Sequence, residues 1–367
     1  MATAQPRKST IKVDSGTGPD ATAPAEKPVS INYHQASQMP KWVREVIDES
    51  FAIEAEDAKK AGALGFMARA LVNATLPYKD PKSPIFERRN GDYVLRMIGG
   101  SENGLPYGVY PRLLISWLTT EAVRTQSREI ELGESLSYFL HHVLGVSRGG
   151  GPRGANVRVS EQMERLFSTL ITAGYSGSSS GRGFNLRNVM IVDSASLDPE
   201  TARMIDEAAE AEADEATRPE VDTSRLWTPQ AREDAGRWKS RVVLSPQFFR
   251  EIIERPVPLD LRAYKVLRGS PVAMDLYSWL TYRMSYLSKS TYPIPWESLM
   301  LQFGSGYSSG DENSRVREFR NKSFKPALKV VQQIYPQARV DVTERGLILH
   351  PSMPHIPLAS KGQGALF

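Results

Sequence analysis

SRVREFRNKSFKPALKVVQQ, residues Ser314 to Gln333, reads as an amphipathic helix whose polar face is almost wholly cationic. On a helical wheel Arg317, Asn321 and Lys325 fall at i, i+4 and i+8 with Lys322 and Lys329 beside them. Val316, Phe319, Ala327, Val331 and Ile334 form the opposing apolar side. Glu318 is the only acid in the stretch, so these cations gain little from i, i+4 pairing and their mutual repulsion points to an external anion. Pro326 removes a backbone donor and crowds the preceding turn, which predicts a kink near Lys322. Just beyond lies ARVDVTERGLILH, residues Ala338 to His350, where apolar and polar residues alternate on both sides of Glu344-Arg345-Gly346. That is the pattern of two short strands joined by a tight turn. Helix plus hairpin predicts a recognition helix and a wing. Phosphates would be neutralised by Arg315, Lys322, Lys329 and the wing's Arg345, with Arg320 adding charge. Arg317, Asn321 and Lys325 would face base edges, where arginine pairs with guanine and asparagine with adenine.

The net charge of +4, from 46 Lys and Arg against 42 Asp and Glu, is too mild to name a partner by itself. Its distribution says more. Acids crowd into DPETARMIDEAAEAEADEATRPE, Asp198 to Glu220, which leaves the remainder more basic than the total suggests. There is no cysteine, which excludes disulfides and thiol chemistry and suits a reducing compartment. No apolar core of signal-peptide length opens the chain, and no apolar run reaches membrane-spanning length. The expected location is the cytoplasm.

Residues 1–38, rich in Ala, Thr, Pro and Ser, read as a flexible tail. A helical pattern starts near Pro40 and resumes in GALGFMARALVNATLP, Gly62 to Pro77. YVLRMIGG reads as a strand, PRLLISWLTTEAVR (Pro111 to Arg124) as a helix, and GESLSYFLHHVLG as a shorter helix. VSEQMERLFSTLI, Val159 to Ile171, predicts a helix with Met163, Leu166, Phe167, Leu170 and Ile171 on one side, and NLRNVMIVDS a strand. After residue 240 the order returns: a long helix PVAMDLYSWLTYRMSYL, a short one PWESLMLQFG, the cationic helix and the hairpin. The expected fold is therefore α+β, mainly helical, with two winged-helix domains in tandem. They span 39–195 and 239–356, joined by an acidic linker at 196–238 and followed by a flexible tail at 357–367.

SRGGGPRGANVR, Ser147 to Arg158, has the glycines of an anion-binding loop but no Gly-Lys-Ser/Thr, which excludes a nucleotide-binding P-loop. It is either a plain turn or a loop whose Arg148, Arg153 and Arg158 touch DNA phosphates, and Arg182 in the following Gly/Ser turn is a further candidate of that kind. Adjacent His141 and His142 point to different faces of a helix, so they do not form a metal pair; packing and surface roles are the simpler reading. Tyr277, Tyr282, Tyr286 and Tyr292 read as core and interface residues rather than nicking nucleophiles. No catalytic constellation, metal set or cofactor motif is legible, so action by binding is expected rather than enzymatic chemistry. The terminal Gln363-Gly364-Ala365-Leu366-Phe367 hangs two large apolar groups on a mobile tail, which suits an external pocket.

Several blocks resemble plasmid-encoded RepA-type replication initiators: GFMARALVNATLP, PRLLISWLTTEAVR, ELGESLSYFL, GGPRGANVRVSEQMERLFS, GRWKSRVVLSPQFFREIIERPVPLDLRA and YSWLTYRM. The resemblance runs from about Gly65 to Met353. Phe319-Arg320 leading into Pro326-Ala327-Leu328-Lys329 is similar to the basic stretch of iteron-binding initiators, which accounts for Pro326 as a family habit. The resemblance implies binding to repeated duplex sequences at a plasmid origin, melting of adjacent DNA and recruitment of host replication proteins. It implies a first domain for dimerisation and backbone contact and a second for major-groove reading. Helicase contact is implied by the family and invisible in these residues; whether the active species is a monomer or a dimer stays open. Gln363, Leu366 and Phe367 match the Gln-x-x-Leu-Phe peptide through which some of the class dock on the sliding clamp, whereas Gly364 and Ala365 depart from it. A transcriptional repressor of the same fold is the near alternative, and a nicking endonuclease the distant one.

Overall fold

Pairings between segments far apart in sequence set the architecture. A computed structural model describes residues 58, 63–132, 140, 141, 146, 155–175, 186–196, 241–304 and 311–356. Within them the chain is α+β, and every strand pairing is antiparallel.

Strand β1, Leu64–Met67, overturns the expectation of a helix running through Gly62 to Pro77. Only helix α1, Arg69–Asn73, is helical there. The cause is a partner nearly two hundred residues away: β1 pairs with Val257–Asp260, and a Cβ on Gly65 would stand 2.4 Å from the Leu261 side chain. Ile85–Asn90 (β2) and Tyr93–Ile98 (β3) form a hairpin about Gly91, whose φ of +58° suits a two-residue turn. Helix α2, Val109–Thr125, follows and stops at Gln126 in the left-handed region. Then come β4, Glu129–Glu131, and α3, Ala155–Phe167.

Helix α3 is shorter than its apolar periodicity suggested. The Ser168 hydroxyl donates to the Glu164 carbonyl and the Thr169 hydroxyl to that of Arg165, at 2.7 and 2.6 Å. These local bonds satisfy carbonyls at the helix end. Leu170 and Ile171 accordingly belong to strand β5, Leu170–Tyr175. The single strand expected in NLRNVMIVDS is likewise two, β6 (Leu186–Met190) and β7 (Val192–Ser196), which enter different sheets. One sheet has the order β2-β3-β5-β6; the other runs β4-β8-β7, where β8 is Arg241–Leu244.

The second half continues with α4 (Pro246–Glu254), β9 (Val257–Asp260), α5 (Leu261–Leu267) and α6 (Pro271–Met284). Ser245 and Ser270 cap α4 and α6, each with a proline in the first turn, as sequence rules favour. After α6 come β10 (Ile294–Pro295), α7 (Trp296–Phe303), α8 (Glu312–Glu318), a π turn at Phe319–Phe324 and α9 (Lys325–Ile334). Strands β11 (Val340–Val342) and β12 (Gly346–Leu349) close the order, and the sheet runs β10-β12-β11.

A buried ion pair ties the halves together. Arg112 on α2 donates through Nε and Nη2 to both oxygens of Asp275 on α6, at 2.8 and 2.7 Å, and its side chain is 2% exposed. Its other donors reach the carbonyls of Leu76, Pro77 and Gly108, so the charge is fully hydrogen-bonded. Among the described residues no helix is long and apolar enough to cross a membrane.

Candidate nucleic-acid interface

The interface is built on one interrupted rod. Asp311 starts α8 by accepting a hydrogen bond from the Ser314 amide at 2.6 Å. That amide chiefly, with the Ser314 side chain and then Arg317 and Arg315 adding, holds the Asp311 carboxyl below the usual carboxylate range. An anionic N-cap is what a helix start favours.

The rod then changes pitch. Its buried residues are Val316, Phe319, Phe324, Ala327, Leu328, Val331, Ile334 and Tyr335. The step from Phe319 to Phe324 is five residues, longer than one α turn. A regular wheel would have driven Ser323 and Arg320 into the apolar side and swung Phe324 off it. Between Phe319 and Phe324 the backbone adopts π geometry, with the Lys325 amide bonding back to Arg320 O, and this keeps both phenylalanines inside. Phe324 meets Trp296, Phe303 and Phe319 with ring centroids 5.5, 5.8 and 5.6 Å apart. Pro326 is the second residue of α9 and follows the π turn directly. The expected break near Lys322 is thus a π turn that contains Lys322.

On the outer side Arg317, Asn321, Lys322 and Lys329 are exposed, and Lys325 is half-buried. Lys322 pairs with Glu318 at 3.0 Å; the lysine is exposed and the glutamate half-buried. Among the described residues Arg317, Lys325 and Lys329 have no acidic partner within ion-pair distance. Arg315 and Arg320 are half-buried: Arg315 Nε lacks an acceptor, and Arg320 lies 5.8 Å from the Trp296 ring while donating to Asn321 Oδ1 at 3.3 Å.

The hairpin stands beside the rod on a rigid base. Gly346, with φ of +154°, lies so close to β10 that a Cβ would sit 2.0 Å from the Ile294 carbonyl oxygen. Thr343 closes the turn, its amide and hydroxyl both donating to Gly346 O at 2.9 and 2.8 Å. The Trp296 indole donates to Thr343 O at 3.1 Å, so one side chain braces both the rod and the hairpin. Glu344 and Arg345 occupy the exposed tip. Neither Trp296 nor Phe324 was singled out from the sequence. The signal was there in the five-residue spacing of two phenylalanines around polar residues.

The first-half candidates are placed less fully. Arg158 is exposed on α3. Arg148, Arg153 and Arg182, together with Gln363, Leu366 and Phe367, lie outside the described residues. His141 is half-buried with Nδ1 2.9 Å from Val146 O, and no group of metal-ligating side chains occurs among the described residues.

Two solved structures of domains 2 and 3 of RctB are similar to this chain. One is 13% identical, covers 75% of this chain and 85% of its own, and superposes with a TM-score of 0.38. The other, a selenomethionine derivative, is 11% identical, covers 75% and 86%, and has the same TM-score of 0.38. Among curated proteins none matches. The family model described as plasmid encoded RepA protein matches residues 105–212 and again 202–298, together more than half of the 367 residues. The chain belongs to the family of plasmid-encoded RepA proteins.

Proposed function

We propose that the protein initiates plasmid replication by binding repeated sequences in duplex DNA at the origin. In this reading α6, β10, α7, the α8–α9 rod and the β11–β12 hairpin work as a winged helix. The rod enters the major groove, with Arg317, Asn321 and Lys325 at base edges and Lys322, Lys329 and Arg345 on phosphates. Arg315 and Arg320, half-buried, strengthen the field from behind. The observation that carries the reading is the exposed acid-poor face of the rod beside a braced hairpin. The family match ends at residue 298, before the rod, so the DNA reading rests on this geometry and membership supports it independently.

In the first half Arg148, Arg153, Arg158 and Arg182 would contact backbone only, and that domain would also serve dimerisation. Binding would be followed by opening of the adjacent duplex and recruitment of host proteins, with Gln363, Leu366 and Phe367 offered to the sliding clamp. The protein acts by binding and needs no cofactor. A repressor of the same fold shares every DNA contact. The separating experiment is replication of an origin plasmid in a host that lacks any other initiator. The plasmid is maintained only when this protein is supplied; failure of maintenance with intact origin binding would leave the repressor.

A further inference from the structure

From Leu276 through Trp296 the chain has no acidic residue, yet it carries Arg283, Lys289 and four tyrosines. Tyr277 is buried, but Tyr286 is 53% exposed and Tyr292 is 92% exposed, unusual for rings that normally bury their bodies. The loop that carries Tyr292 is held in place. Beside Tyr292, the Thr291 amide donates to Leu349 O at 2.9 Å and its hydroxyl accepts from the Leu349 amide at 3.0 Å. Ser290 Oγ lies 2.8 Å from His350 Nδ1, and His350 Nε2 is 2.9 Å from Asp341 on β11, so the central strand β12 and the outer strand β11 of the small sheet both anchor the loop. Pro293 stiffens its exit.

At the other end Tyr282 and Tyr286 meet edge to face at 5.1 Å. The Arg283 guanidinium lies 5.8 Å from the Trp279 ring and 5.7 Å from that of Tyr286, and its Nε has no hydrogen-bond partner. Exposed rings flanked by cations are the chemistry that takes an unpaired nucleic-acid strand: bases stack on the rings and phosphates meet the cations. A duplex hides its base faces and cannot use such rings.

We propose that the Arg283–Pro293 loop is a binding site for single-stranded DNA, with bases stacked on Tyr286 and Tyr292 and phosphates against Arg283 and Lys289. The proposal deepens the initiator reading, since an opened origin supplies such a strand beside the bound repeats. The test is fluorescence anisotropy with the full chain, using a labelled oligothymidylate of about 20 nucleotides, long enough for a single binding site, and a labelled repeat duplex. The double variant Tyr286→Ala/Tyr292→Ala weakens oligothymidylate binding roughly tenfold or more while duplex affinity stays within about twofold. Tyr292→Trp, which keeps an aromatic face, retains strand binding. Unchanged oligothymidylate affinity in the double variant, or equal losses on both DNAs, overturns the proposal. If the wild-type chain ignores the repeat duplex but holds the oligonucleotide through these tyrosines, the initiator reading falls and the strand site stands.

Discussion

Helix α3 and the α8–α9 rod occupy corresponding places, each preceding strands and each burying one apolar side, but their outer faces differ in charge. On α3 the exposed charged residues are Arg158, Glu161 and Glu164, so acids outnumber the cation. On the rod Arg317, Lys322 and Lys329 are exposed against Glu312 at its start, and half-buried Glu318 is already matched by Lys322. The same layout therefore presents two different surfaces. A helix with mixed charge suits packing or weak backbone contact, whereas a cationic one must be matched by an anion to be comfortable. In the proposed reading, sequence discrimination is concentrated in the second half and the first half supports it.

The largest expected effect tests whether the two regions share a scaffold. Arg112→Ala leaves Asp275 buried without its partner, and such a loss costs about 3 to 5 kcal/mol. Denaturant unfolding followed by tryptophan fluorescence should remain one transition at lower midpoint, because Trp117 and Trp279 sit on the two helices that the pair joins. Two separated transitions would divide the halves. A second cross-connection responds to pH. Glu251 on α4 lies 3.5 Å from Arg69 on α1, and burial pushes its carboxyl up to about 7 from the ordinary 4.5, against the pull of Arg69. Between those values the folded chain keeps a proton that the unfolded chain has released, so stability falls as pH rises through the window and levels off above it. Glu251→Gln should flatten that slope in a midpoint-against-pH series.

Smaller effects separate the two outer faces. Lys329→Ala should weaken all duplexes alike and reduce the slope of log affinity against log salt by about one unit, read from a gel-shift salt series. Arg158→Ala, which removes a backbone contact, should leave specificity unchanged and lower that slope by no more than Lys329→Ala does. A larger effect at Arg158 than at Lys329 would reverse the comparison.

Much of this was legible where the signals are local. The hairpin around Gly346, the capped helix α6 and the cationic face of the rod follow from alternation, capping residues and helical spacing. Strand β1 did not, because LGFM is apolar throughout and its extended form is imposed by β9. The end of α3 was obscured because Leu170 and Ile171 keep helical spacing while belonging to a strand. The rod's core face was read in part. Phe324 was missed because a wheel assumes constant pitch, and Pro326 announced a break without saying that an extra residue would be absorbed. Arg320 shows the same limit: half-buried and 5.8 Å from the Trp296 ring, it sits at the edge of the core and not on the exposed face.

The most direct test of the central claim is the ratio of affinities for an origin repeat and a scrambled duplex, measured side by side for wild type and Arg317→Ala across a salt series. With Arg317 at a base edge, the substitution costs about 1 to 3 kcal/mol on the repeat and much less on the scrambled duplex, so the ratio collapses. An unchanged ratio would mean that the exposed face of the rod does not read DNA sequence.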